Sequence, residues 1–489
     1  MLLHYPRKND IMYYNYMTFH ESEVPQTVNY FDKNDIFDAE CNELLEEMIA
    51  ESQGEYHIPG AAFDNYRVKR GLREPDGTGV MAGVTRIGNA HGYILNEGER
   101  IPLDGELYYR GYRMSDLVNN FAKEDRFGFA ETCYLLFFGH LPTKTQLERF
   151  CHLMSRFEKL PARFDEDILM KAPTTSIMNK MATGVMALYA YDDNPDETTL
   201  SNMLRQCMQL IARVPVIAAH SYAVSRNIFG GHSLHINNPK PELTTAENFL
   251  RMLRSDKSYT DEEAKLLDLA LVIHAEHGGG NNSAFACRVL SSSGTDTYSA
   301  IGAAIGSLKG PRHGGANIKA QEMFDCIKEN VHNPHDDDEV LSFLSKILRG
   351  EAFDHSGLIY GMGHAIYTKS DPRAVMLKRY ARDLAMKKGF GDDFALLEAV
   401  ERLTPEAFRQ LKGVERTICA NVDLYSGLIY RMLRIPVSMY TPLFAIARVA
   451  GWCAHRVEEY AAAKKIIRPA YKCLDLHKSY IPMSERTRG

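Results

Sequence analysis

The 489-residue sequence has no CxxC pair, no apolar run long enough for a bilayer, no excess of basic residues and no glycine-rich nucleotide loop. Its nine cysteines (Cys41, Cys133, Cys151, Cys207, Cys287, Cys326, Cys419, Cys453, Cys473) are odd in number and scattered. That argues against a disulfide framework or structural zinc and for a reducing compartment. The longest apolar run, LLDLALVI at 266–273, falls far short of the ~20 residues of a membrane helix. A formal net charge of −6 disfavours nucleic acid and anionic membranes as partners, and no aromatic–basic stripe marks a nucleic-acid face. Neither GxGxxG nor GxxxxGK[ST] occurs, which argues against a P-loop or a standard dinucleotide fold. The first residues, MLLHYPRKNDIMYYNYMTFHESEV, carry no signal-type apolar core and turn acidic too early for a transit peptide, so a soluble, cytoplasmic chain is expected.

What is present is mostly helical pattern. The length suits two or three cores, and 45% hydrophobic with 25% charged residues is ordinary for a globular protein. Residues 1–54 read as an extension with one acidic amphipathic helix near 38–52. Strand signal concentrates in 67–115, in RVKRG, GVTRIGNAHGYIL and GELYYRGY, separated by Asp-Gly and Gly-Thr-Gly turns. From 116 onward nearly everything reads as helix. The expected fold is mainly α with a small β-hairpin region near the N-terminus. Thr260-Asp-Glu-Glu263 fits a capping box, and the apolar body that follows predicts a buried helix, stopped by the glycines of HAEHGGG. In SAIGAAIGSLKG (299–310), Gly302, Ala303 and Gly306 permit close helix approach, within the chain or across a subunit interface.

Several polar residues sit where stability alone would not place them. His313, in GPRHGGAN, lies before a new helix, whose positive dipole end favours a neutral ring able to donate a hydrogen bond; capping a turn is the alternative. In DPRAVMLKRYARDL (371–384), Asp371 caps, Pro372 leads and Arg373 opposes the macrodipole. Either Arg373 and the helix amides hold an anion, or the arginine points to solvent. In TPLFAIARVAGW (441–452), Thr441 caps, Pro442 leads and Arg448 interrupts an apolar helix, needing an acid from protein or ligand. Asp423, in NVDLYSG, suits either a base with a raised pKa or an N-cap. HAEH (274–277) spaces two histidines as half a metal site could, but the remaining ligands are not evident and no metal is expected; a cation at that helix end would suit a carboxylate. Arg468, in KKIIRPAY, reads locally as a solvated charge.

Taken in order, HAEHGGGNNS, GPRHGGAN, GMGHAIYTKSDPR, NVDLYSG, FAIAR and IIRPAY, with GELYYRGY early on, resemble citrate synthase of the mainly helical type, over roughly 65–475. The resemblance implies an acyltransferase of the tricarboxylic acid cycle with a two-domain fold: an extension at 1–60, a large domain at 61–314 and 434–475, a small one at 315–433 and a tail at 476–489. It implies a homodimer or larger assembly, the substrates oxaloacetate and acetyl-CoA, and no cofactor. His313 would hold the thioester oxygen, Asp423 remove the methyl proton and His364 polarise the oxaloacetate carbonyl. His277, Arg373 and Arg448 would bind oxaloacetate's carboxylates, with Arg468 reaching in from the other subunit. Asn281 and Ser283 would support His277 and His313, and Leu358, Gly361, Met362 and Gly363 would lie along CoA. Closure of the cleft on oxaloacetate is expected. Propionyl-CoA chemistry giving 2-methylcitrate, or a catalytically silent acyl-CoA- or carboxylate-binding homologue, are the alternatives. Gly278 stands where many members carry an acid.

Overall fold

A computed structural model describes residues 39–52, 56–97, 99–413, 417–462, 465–475 and 477–486. Residues 1–38, most of the expected extension, and 476 and 487–489 of the expected tail lie outside them. The acidic helix is found at Ala39–Glu51.

One antiparallel sheet, in the order β1 (Gly88–Asn96), β2 (Glu99–Tyr109), β3 (Tyr112–Arg113), accounts for the named strands among the described residues. Its register pairs Gly88 with Tyr109 and Asn96 with Glu99, with a bulge between His91 and Tyr93. RVKRG was expected to be a strand and is not one. It becomes a 3-10 turn at Arg70–Leu72, because Gly71 and Leu72 both take left-handed φ, which breaks a pleat.

Helices build the rest. The capping box at Thr260 is formed in both directions, and it opens the buried helix Asp261–His274. That helix stops before the glycines, contrary to expectation. Side chains terminate it: Arg448 Nε donates to the His274 carbonyl at 2.7 Å. Helix Tyr440–Ala462 is buried along most of its length and packs on Leu200–Gly230, Asn282–Ser292, Thr297–Lys309 and Asp261–His274. Thr441 is not its cap, since the helix already begins at Tyr440; the hydroxyl donates instead to the Gly314 carbonyl at 3.0 Å. Leu200–Gly230, 31 residues long, is long and apolar enough to cross a bilayer by composition, which the run-length argument did not foresee, yet most of it is buried within the fold. Helices Ala316–Asn330, Pro372–Lys387, Gly391–Lys412 and Val422–Met432 pack on one another, and Pro372–Lys387 also meets Asp261–His274 and β2. The site lies where these groups of helices face each other.

Candidate active site

His364 sits on the segment leading into helix Pro372–Lys387. Its Nδ1 accepts the backbone N–H groups of Ile366 (3.1 Å) and Tyr367 (3.2 Å). An acceptor Nδ1 leaves the ring proton on Nε2. Burial, then the nearby Arg373, lower its pKa to about 4, so the ring is uncharged at neutral pH. Tyr367, which sequence reasoning missed, stacks on it with centroids 4.7 Å apart; an aromatic three residues on was the available signal.

Arg373 does not point outward. It is 4% exposed, and its Nε (3.0 Å) and Nη2 (2.7 Å) donate to the capping carboxylate of Asp371. The Asp371 carboxylate also takes the Arg373 N–H, so this N-cap occupies the amide once assigned to an anion. Burial opposes the charge, but Asp371 outweighs it and raises the guanidinium's pKa. Nη2 lies 3.4 Å from His364 Nε2. Both atoms carry hydrogen, so together they direct donors at a shared acceptor.

Across from them lie His277 and Arg448. The His277 ring meets His364 edge-on at 5.2 Å, and its buried Nε2 has no partner among the described residues. Burial, then Arg373 and His364, push its pKa well down; the cation favoured by helix-end reasoning is therefore not the stable form. Arg448 is 3% exposed, and the Nε–His274 bond is its one hydrogen bond among the described residues. Burial lowers its pKa to about 10, against an opposing pull from Glu276. The two histidines of HAEH diverge, since His274 bonds Tyr430 Oη at 2.9 Å and stacks on Phe444. No cluster of three or more metal-type ligands exists among the described residues.

His313 occupies a tight turn before helix Ala316–Asn330. A Cβ on Gly314 would overlap the Leu308 carbonyl and Thr441, so glycine is required beside the ring. The pKa of His313 falls to about 4, through burial first and Arg448 second; the helix dipole is not needed to keep it neutral. Its Nε2 is 3.2 Å from Ser283 Oγ. That hydroxyl accepts from Trp452 Nε1 at 3.1 Å and reaches Asn281 Oδ1 at 2.7 Å. Its single proton therefore has two acceptors in range, Asn281 and His313. Turned toward His313, it fixes the tautomer that carries hydrogen on Nδ1.

Asp423 is not the N-cap. Asn421 takes that role, accepting the Asp423 N–H at 2.9 Å, and its own Nδ2 and N–H donate to the carbonyls of Gly363 and Gly361, both at 2.8 Å. One asparagine thus ties the His364 loop to the Asp423 helix. It was missed because NVD offers two cap-competent residues in three. Asp423 lines a small cavity with Phe324, Leu397, Leu424 and Leu428, and its carboxyl is raised to about 6 by burial, against the pull of Arg373.

Of the expected CoA loop, Gly361 and Gly363 take φ of 81° and 89°, Met362 bridges to Ala420, and Leu358 is 55% exposed. Arg468 stands apart. It is exposed on an extended segment, and no hydrogen bond or ion pair joins it to the described residues of its own chain.

The family profile "Citrate synthase, C-terminal domain" matches residues 77–470. A citrate synthase of Synechocystis is 33% identical over 86% of this chain and 95% of its own. A 2-methylcitrate synthase of Corynebacterium glutamicum is 32% identical over 79% and 94%. Among solved structures, the complex of carboxymethyl coenzyme A and oxaloacetate with citrate synthase from Thermoplasma acidophilum superposes with a TM-score of 0.69 at 26% identity, covering 86% of this chain and 99% of that one.

Proposed function

Because the chain belongs to the citrate synthase family of acyltransferase-type condensing enzymes, we propose that it condenses acetyl-CoA with oxaloacetate and that water then hydrolyses the citryl-CoA thioester to citrate and CoA. The observation that carries this is that a poised carboxylate, Asp423, and two uncharged imidazoles, His313 and His364, all lie in the field of the buried Arg373 and Arg448: Asp423 feels both, His364 feels Arg373 and His313 feels Arg448. Asp423 takes a proton from the acetyl methyl group. His313, an uncharged ring, donates a ring N–H to the thioester oxygen, where the negative charge of the enolate develops; with the Ser283 hydroxyl turned to it, that hydrogen is on Nδ1. His364 Nε2–H and Arg373 polarise the ketone of oxaloacetate, and the enol carbon attacks it. His277, Arg373 and Arg448 hold the two carboxylates. The loop through Leu358, Gly361, Met362 and Gly363 lies along CoA.

The charge inventory supports a shared site. Within one chain Arg373 is matched by Asp371, and Glu276 faces Arg448. Arg73 of the same chain, which bears on His364, and Arg468 of a second copy are the further cations open to a dianion. Ile467 N–H donates to Ser292 Oγ at 3.0 Å, so Arg468 leaves the fold beside the helix pair Asn282–Ser292 and Thr297–Lys309. On that pair Gly302 packs on Met186 of the same chain, while Gly306 faces open space. A homodimer formed there, in the cytoplasm and without a cofactor, is the assembly we infer. The site draws on 61–314 and 434–475 on one side (His277, His313, Arg448) and on 315–433 on the other (His364, Arg373, Asp423), which suits a cleft that closes on oxaloacetate.

The C. glutamicum relative favours one further reading, 2-methylcitrate formation from propionyl-CoA. One methylene discriminates by about 1–3 kcal/mol, or ~10–200-fold. Thiol release with each thioester and oxaloacetate separates them: a higher kcat/KM for acetyl-CoA is expected, and a higher value for propionyl-CoA replaces citrate by 2-methylcitrate as the product.

A further inference from the structure

Glu276 lies between the two histidines of HAEH, and the chemistry above does not use it. Its side chain is fully buried. Oε1 accepts the Gly278 N–H at 2.5 Å and the His455 Nε2–H at 2.8 Å, while Oε2 has no hydrogen-bond partner among the described residues. The fold makes room for this carboxylate with two glycines. A Cβ on Gly88 of β1 would come within 2.7 Å of its Cγ, and one on Gly451 of helix Tyr440–Ala462 would overlap Oε2.

We propose that Glu276 is a positioning residue of the oxaloacetate site: it is the fixed counter-charge of Arg448 and the template of the turn that presents His277, with His455 and Arg288 holding it in place. The proposal rests on the oxaloacetate assignment made above. His455 Nδ1 receives a hydrogen bond from Arg288 Nη2 at 2.6 Å. A guanidinium can only donate, so the ring's proton sits on Nε2 and points at Glu276. Arg288 is anchored in turn by Glu459 at 2.6 Å and by Glu458. Glu458 is itself fixed by Thr85 Oγ1 (2.6 Å) and Arg86 N–H (2.7 Å). A continuous polar chain thus runs from the site, through the core, to the segment preceding β1.

The charged and titratable groups facing Arg448 are Glu276, Arg373, Tyr109 and Asp423, together with His274, His277 and His313. Arg373 disfavours the Arg448 charge, and among the groups that favour it Glu276 is the largest. Burial pushes the Glu276 carboxyl upward, but His455, Arg448 and the Gly278 N–H outweigh it, so the carboxylate stays ionised. Removing that charge while keeping the shape leaves Arg448 with only the weaker help of Tyr109 and Asp423.

Glu276→Gln keeps both hydrogen-bond geometries at Oε1 and deletes the charge. Calorimetric titration of the full chain with oxaloacetate, as a function of pH, reads the result. In the wild type the alkaline loss of affinity follows Arg448, at about 10. Oε2 lies against Gly451, three residues on from Arg448 on the same helix, and its charge favours the guanidinium; losing an opposite charge there lowers the limb in E276Q by about one pH unit. A purely structural role would lower affinity at every pH without moving the limb. An E276Q limb coincident with the wild type overturns the proposal while leaving the oxaloacetate site standing; a wild type that binds no oxaloacetate overturns both. Should E276Q fail to fold, His455→Gln, which loosens the carboxylate without removing it, is expected to lower the limb by a smaller amount, and an unmoved limb overturns the proposal there too.

Discussion

Asp423, the residue proposed as the base, also carries a cost to the fold. Its carboxyl is raised from 3.8 to about 6 by burial, so the folded state prefers the protonated acid. The sign of the linkage follows: the fold loses stability as pH rises from 3.8 to 6, and the loss is complete above that range. It amounts to roughly 3 kcal/mol. Asp423→Asn should therefore melt higher than the wild type at pH 7 and show little gain near pH 4, as scanning calorimetry would reveal. The same variant should lose turnover by ~100-fold or more while keeping oxaloacetate binding, because a base acts in the transition state and not in the ground state. Wild-type activity should fall as pH drops below about 6, since Asp423 must be ionised while His313 and His364 remain neutral down to about 4. A variant that turns over normally would remove Asp423 from the chemistry.

At the scale of elements, caps decide which side chains are free for chemistry. Asn421→Ala removes the cap of Val422–Met432 and the side-chain tie to Gly363. Lost cap and buried hydrogen bonds of this kind cost about 1–3 kcal/mol, and both kcat and oxaloacetate KM should worsen; thermal melting and steady-state kinetics check the two together. Local sequence made much of this scale legible. The Thr260 box, the buried helix after it and the Asp371-Pro372 start are all short-range devices, and each is found in the fold. What stayed illegible was decided between elements. Arg373 turns inward because Asp371 beside it closes an ion pair that no propensity encodes. Helix Asp261–His274 ends on Arg448, 174 residues away, and not on its glycines. Glu276 and His455 are 179 residues apart, beyond the reach of any periodicity. The ordered motifs named the candidate site residues, but their tautomers and charges were not legible, because those depend on burial.

For the whole molecule the decisive question is whether each site is completed by a second copy. Arg468→Ala homodimers and Asp423→Asn homodimers should each be nearly inactive. In a heterodimer one site inherits both defects and the other neither. Random reassortment of equal amounts makes about half the dimers mixed, so activity should return to about a quarter of the wild-type value. Refolding the two variants together and measuring thiol release checks this; no recovery would place Arg468 within its own site, and a fully active Arg468→Ala homodimer would place it outside the chemistry.

The Asn421 tie has one more consequence. Together with the backbone bonds beside it, it couples the segments that bear Asp423 and His364, so those two travel as one cassette. If the cleft breathes, the spacing of the Asp423 carboxylate and the His364 ring stays constant, and only their reach to the ring of His313 fluctuates. The tempo of such an enzyme is then governed by the width of a single gap.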